Sequence, residues 1–129
     1  MGEKMGMIGL GKMGLALAHQ MMNDGHELFG YDNDPERMEL FEAKGGTPLA
    51  SSKVLAEKCD ITFSILLKPE HIEENTTGPN GIVQAGKEEL IHVEMSTMPP
   101  AFQIGLAEKL FGHGIEMLDA PISGSNNKV

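Results

Sequence analysis

At 129 residues the chain is long enough for one domain and too short for two, and its 10 Lys and Arg against 19 Asp and Glu leave a formal charge of −9. With no basic stripe, that balance argues against nucleic acid or an acidic membrane surface as a partner, and no apolar run nears the ~20 residues of a bilayer span. The opening segment MGEKMGMIGL lacks the architecture of a secretion signal, so a cytoplasmic location is expected; the single Cys59, unable to form an internal disulfide, reads as a buried spectator.

In chain order, short apolar runs alternate with helical periodicity, each exchange punctuated by Gly or Pro. A strand over Met5–Ile8 leads to a helix over Lys12–Asn23, with Met13, Leu17 and Met21 on one face and a stop at Asp24-Gly25. A strand over 27–31 follows. Asp34 and Pro35 have the pattern of an N-cap and a first helical residue, opening a helix that ends before Gly45-Gly46. Next come a short strand near 47–49, a helix capped by Ser51 or Ser52 through Lys58, a strand over 61–66 and a helix from Pro69 to about Asn75. The stretch 77–81, TGPNG, reads as a surface turn. A strand over 90–94, a helix beginning after Ser96-Thr97 near Pro99-Pro100, and a strand over 115–118 complete the chain. Mostly continuous apolar strands separated by helices predict one α/β domain, a doubly wound parallel sheet with right-handed crossovers.

After the first strand stands Gly9-Leu10-Gly11-Lys12-Met13-Gly14, a G-x-G-x-x-G opening directly into a helix. In that pattern the first glycine permits the tight turn, the second lets a pyrophosphate approach the backbone, and the third lets the helix pack on the sheet. The phosphates meet the free N–H groups and positive dipole of the helix N-terminus. Asp32, 23 residues after Gly9, ends the second strand where a carboxylate binds the adenosine ribose hydroxyls. It would repel a 2′-phosphate, and no arginine follows, so NAD is favoured over NADP. Asp32 could instead cap the next helix, a role that suits Asp34 better.

The ends of later strands, Leu66-Leu67-Lys68, Met95-Ser96-Thr97 and the segment from Asp119 to Ser125, are expected to line the rest of the crevice. Each has a plainer reading as a cap, a solvated charge or a turn. The five histidines show no metal-binding spacing, and no metal site is expected.

These segments together resemble the β-hydroxyacid dehydrogenases, the family of 3-hydroxyisobutyrate dehydrogenases, tartronate semialdehyde and glyoxylate reductases and, more distantly, 6-phosphogluconate dehydrogenases. The resemblance rests on MGMIGLGKMGLALAHQMMNDGHELFGYD (5–32), TTGPNGI (76–82), VEMST (93–97) and LDAPISGS (118–125). It implies a Rossmann domain over 1–129, binding NAD through Gly9, Leu10, Gly11, Lys12, Met13, Gly14, Asp32, Leu66, Leu67, Lys68, Ser96 and Thr97. It further implies that Ser123, Gly124 and Ser125 bind a small carboxylate substrate; Ser125 departs from the family's commoner second glycine. The reaction implied is hydride transfer between a nicotinamide cofactor and a β-hydroxyacid or semialdehyde. The family's catalytic lysine and its all-helical second domain have no counterpart in these residues, so the expectation is the cofactor half of a larger, homo-oligomeric enzyme, not competent alone. The alternative is a non-catalytic dinucleotide-binding regulatory module.

Overall fold

A computed structural model describes residues 3–122. Six strands, β1 (Met5–Ile8), β2 (Leu28–Tyr31), β3 (Thr47–Pro48), β4 (Ile61–Ser64), β5 (Ile91–Glu94) and β6 (Glu116–Asp119), form one sheet in the order β3-β2-β1-β4-β5-β6. Every neighbouring pair is parallel. Five helices connect them: α1 (Lys12–Asn23), α2 (Pro35–Ala43), α3 (Ser52–Lys58), α4 (Pro69–Thr76) and α5 (Pro100–Phe111). The chain winds outward from β1 to β3, then returns to lay β4 on the other side of β1. The loops after β1 and β4 therefore leave in opposite directions, and a crevice opens at the carboxyl ends of these two strands.

The two faces of the sheet carry separate cores. Met7, Leu10, Leu15, Ala18, Leu28 and Phe41 pack beneath α1 and α2. Ile8, Phe29, Leu55, Ile72, Leu106 and Leu110 belong to the other, beneath α3 to α5. Phe41 has no exposed surface, and its ring lies where a Cβ on Gly30 or Gly46 would stand, so these glycines admit α2 onto β2. Truncating such a buried phenylalanine to alanine costs about 3–5 kcal/mol.

Local signals agree with the observed ends of the helices. Asp34 caps α2, accepting from the Glu36 N–H at 3.0 Å, and Pro35 occupies its first position. Ser51, not Ser52, caps α3 through the Val54 N–H.

Three expectations are corrected. The 77–81 turn is not purely superficial: Gly81 is buried, and it leads into a short 3-10 turn, Ile82–Ala85, that was not anticipated. Asn80 there accepts the Lys53 N–H at 2.8 Å, while Ile82 and Val83 are buried, so the segment closes over α3. The cap of α5 is Pro99 rather than Ser96 or Thr97, and both of those residues are bonded elsewhere. Finally, β4 and β5 are not continuous apolar runs, for Thr62, Ser64, His92 and Glu94 all point into one core and are fully buried.

Candidate dinucleotide site

The loop between β1 and α1 is tightly held on one side and open on the other. Gly9 has φ +95°, and a Cβ there would collide with the Ile65 carbonyl oxygen across the crevice. Gly14 lets α1 approach so closely that a Cβ would collide with the Gly9 carbonyl. Gly11 differs: its φ of −69° suits any residue, and a Cβ would meet nothing within 4 Å. Nothing in the fold demands glycine at 11, yet the residue lines the cleft.

Backbone donors gather at the same point. The Gly9 N–H donates to Tyr31 O, and that of Leu10 to Asp32 Oδ2 at 2.7 Å. The next amide to find an acceptor is that of Leu15, donating to Gly11 O. Among the described residues the N–H groups of Gly11, Lys12, Met13 and Gly14 have no partner, and α1 has neither a side-chain cap nor an acid in its first turn. A helix start left this way presents donors and dipole to an anion. Lys12, exposed beside them, adds a charge at the end of a helix where a cation is otherwise unfavourable.

The cleft, of about 250 Å³, runs from Ile8, Gly9 and Gly11 past Tyr31, Asp32 and Asn33 to a wall formed by Ile65 to Lys68 and the α4 residues His71, Glu74 and Asn75. Asp32 is half-buried, and its Oδ1 accepts the Asp34 N–H at 2.9 Å. The carboxylate is thus clamped by both loops, it lines the cleft, and each oxygen keeps acceptor capacity beyond these bonds. Burial first, then the Glu74 and Asp32 carboxylates, push the Tyr31 phenol above its ordinary pKa. This end of the cleft is therefore negative, while the glycine loop is rich in donors.

The structure brings together Gly9, Gly11, Asp32, Leu66, Leu67 and Lys68 on the cleft and sets Lys12, Met13 and Gly14 directly behind Gly11. Leu10 contributes its backbone and buries its side chain in the core. Ser96 is buried, with its hydroxyl on the Leu66 N–H, and Thr97 is exposed, donating to Ile122 O at 3.1 Å. Ser123, Gly124 and Ser125 lie outside the described residues. The α4 face, with His71 and Glu74, went unread because their i, i+3 spacing marks them only as neighbours on a polar helix surface.

Residues 4–129 match the NAD binding domain of 6-phosphogluconate dehydrogenase. The chain belongs to that family. L-threonate dehydrogenase of Cupriavidus necator is 33% identical over 96% of this chain, and the uncharacterized oxidoreductase YkwC of Bacillus subtilis is 32% identical over 98%. The match spans 42% and 44% of those proteins, so the chain corresponds to less than half the length of each. The human cytokine-like nuclear factor N-PAC is 28% identical over 95% of the chain, which spans 22% of it. Among solved structures, 3-hydroxyisobutyrate dehydrogenase of Salmonella typhimurium is 25% identical and superposes with a TM-score of 0.87 over 96% of this chain and 43% of that one. The Mycobacterium tuberculosis 3-hydroxyisobutyrate dehydrogenase, at 23% identity and a TM-score of 0.89, shares the fold. The family, the Rossmann fold and the N-terminal position of the match agree with the expectation from sequence.

Proposed function

We propose that this NAD(P)-binding domain serves an oxidoreductase that moves hydride between NAD and a small β-hydroxyacid or its semialdehyde. One observation carries the reading: at Gly11 the fold leaves open both the space and the N–H groups that a pyrophosphate requires, where no packing reason exists. The cleft fits the cofactor, with Gly9 to Gly14 holding the pyrophosphate, Asp32 accepting from the adenosine ribose hydroxyls, and residues 66–68 covering one side. When bound, the nicotinamide supplies or accepts the hydride. Asp32 disfavours a 2′-phosphate, and Glu74 adds a second negative charge at that end, which supports NAD over NADP. Ser123, Gly124 and Ser125 are proposed to hold the substrate carboxylate. The likeness to an L-threonate dehydrogenase supports a small hydroxyacid as substrate.

In this reading the group that handles the proton at the substrate oxygen belongs to a part of the enzyme beyond these residues, the whole acting as a cytoplasmic homo-oligomer. Titration calorimetry with NADH and NADPH tests the assignment: saturable NADH binding with weaker NADPH binding is expected. A folded sample that binds neither overturns it. A second reading, a non-catalytic dinucleotide-binding module, draws on the likeness to N-PAC, whose name is that of a nuclear factor and not of an enzyme. Assay of the complete protein with NAD and a panel of small hydroxyacids separates the two, since the module binds NADH without turnover.

A further inference from the structure

Deep in the sheet, on the face covered by α3 to α5, the register sets Thr62 opposite His92 and Ser64 opposite Glu94. The four side chains form a closed cluster. Thr62 Oγ1 lies 2.8 Å from His92 Nδ1, His92 Nε2 lies 2.9 Å from Glu94 Oε1, and the Ser64 hydroxyl donates to the same oxygen at 2.6 Å. The threonine, histidine and glutamate have the order of a nucleophilic triad, but none has exposed surface, so no substrate reaches them. Burying an ionised carboxylate costs several kcal/mol unless its hydrogen bonds are satisfied, and an apolar pair would pack a sheet as well. The cluster's outlet indicates what it contributes.

That outlet is the turn after β5. Glu94 Oε2 faces the Ser96 N–H at 3.4 Å, and the Ser96 hydroxyl accepts the Leu66 N–H at 2.8 Å. Gln103, in the first turn of α5, donates through Nε2 to the Ser96 carbonyl at 3.1 Å and to Asp119 Oδ1 at 3.3 Å. Ser96, 1% exposed, is thus held by its carbonyl and its hydroxyl, with its amide facing Glu94. Leu66 is in the opposite situation. It begins the part of the cleft wall that leaves the sheet, and the next residue, Leu67, is 92% exposed. The Leu66 side chain packs against the core, but Leu67 and Lys68 beyond it are exposed, so this end of the wall depends on its backbone hydrogen bonds for its shape.

We propose that Glu94 and Ser96 are positioning residues for the dinucleotide: the buried carboxylate orients the turn after β5, and the Ser96 hydroxyl holds residues 66–68 in their binding shape before the ligand arrives. The proposal rests on the cofactor reading above. A wall already ordered does not have to be ordered by the ligand, and the affinity gains by that difference. Ser96 acts through Leu66, so its loss changes binding while leaving the glycine loop intact.

The test compares the 129-residue chain with Ser96→Ala, Ser96→Cys, Ser96→Thr and Glu94→Gln, measuring NADH affinity by fluorescence titration and amide exchange at Leu66 by NMR. Removing the acceptor in Ser96→Ala is expected to weaken NADH binding about three- to tenfold and to raise Leu66 exchange by a similar factor, with β1 amides unchanged. Ser96→Thr, which keeps the hydroxyl, is expected to restore both, and Glu94→Gln to fall between. If alanine does not fold, Ser96→Cys, nearly isosteric and a weak acceptor, takes its place. Unchanged NADH affinity in a folded Ser96→Ala or Ser96→Cys chain overturns the proposal. So does a loss of affinity with Leu66 exchange unchanged, which marks a general structural role. Failure of the wild-type chain to bind NADH defeats the cofactor reading instead, and the Leu66 exchange then still decides whether Ser96 holds the wall.

Discussion

Gly11→Ala separates ligand from fold more cleanly than any other change in the loop. The added methyl meets nothing within 4 Å, and the backbone at φ −69° is open to alanine. As an N-cap, alanine is poorer than glycine by a few tenths of a kcal/mol or more, while the less flexible unfolded chain returns about 0.4–1 kcal/mol. The two nearly cancel, so stability should stay within about 0.5 kcal/mol of wild type, a shift of roughly 2 °C in Tm for a domain of this size. Binding should not escape. The methyl stands in the cleft beside four amides that have no partner among the described residues, and keeping a pyrophosphate from one charge-assisted bond costs about 1.5–3 kcal/mol, or roughly 10- to 150-fold in Kd. Gly14→Ala is the control with the opposite profile. Its methyl strikes the Gly9 carbonyl, backbone against backbone, and should lower stability by about 1–3 kcal/mol whether or not ligand is present. Thermal melts by circular dichroism and NADH titrations on both variants provide the comparison. If Gly11→Ala binds NADH as tightly as wild type, the ligand does not approach that backbone and the assignment of the loop fails.

Three further outcomes follow from the same fold. Glu74→Gln, at an exposed position on the cleft wall, should leave NADH affinity within about twofold while narrowing the preference over NADPH by about three- to tenfold, the effect fading in high salt; a preference that does not change removes Glu74 from selectivity. Although burial alone would raise the pKa of Glu94, its His92, Ser64 and Ser96 interactions outweigh burial and hold it below the ordinary carboxylate value. The ionised form therefore stabilises the fold fully above the unfolded-state pKa near ~4.3, and this contribution is lost as pH falls through the lowered folded value. The melting temperature of wild type should thus drop more steeply than that of Glu94→Gln below about pH 4.5, and parallel curves would refute the assignment. Burial, opposed in part by Lys87, pushes the Cys59 thiol up to about 12, so it should resist a thiol reagent at mildly alkaline pH in the folded chain and react once denaturant is added. Rapid labelling of the native protein would contradict its complete burial.

Much of this molecule is written in short-range pattern. The exchange of strand and helix periods, Asp34-Pro35 at the start of α2, and Gly9 to Gly14 between β1 and α1 depend on residues a few positions apart, and the same steric rules apply to them in any context. The carboxylate at Asp32 is legible too, because its place at the end of β2 follows from strand length alone. What tertiary structure decided depends on residues brought together across long separations. The spacing of the three glycines looks uniform, but only the approach of Ile65 and of α1 shows that Gly9 and Gly14 are required by the fold and Gly11 is not. Likewise Ser96, which reads as a cap or a cofactor contact, turns out to hold Leu66, thirty residues away, because β4 and β5 pair in a register that sets their polar side chains face to face. A single chain position carries its own propensity, whereas a buried hydrogen bond belongs to two strands at once and exists only when the sheet has assembled.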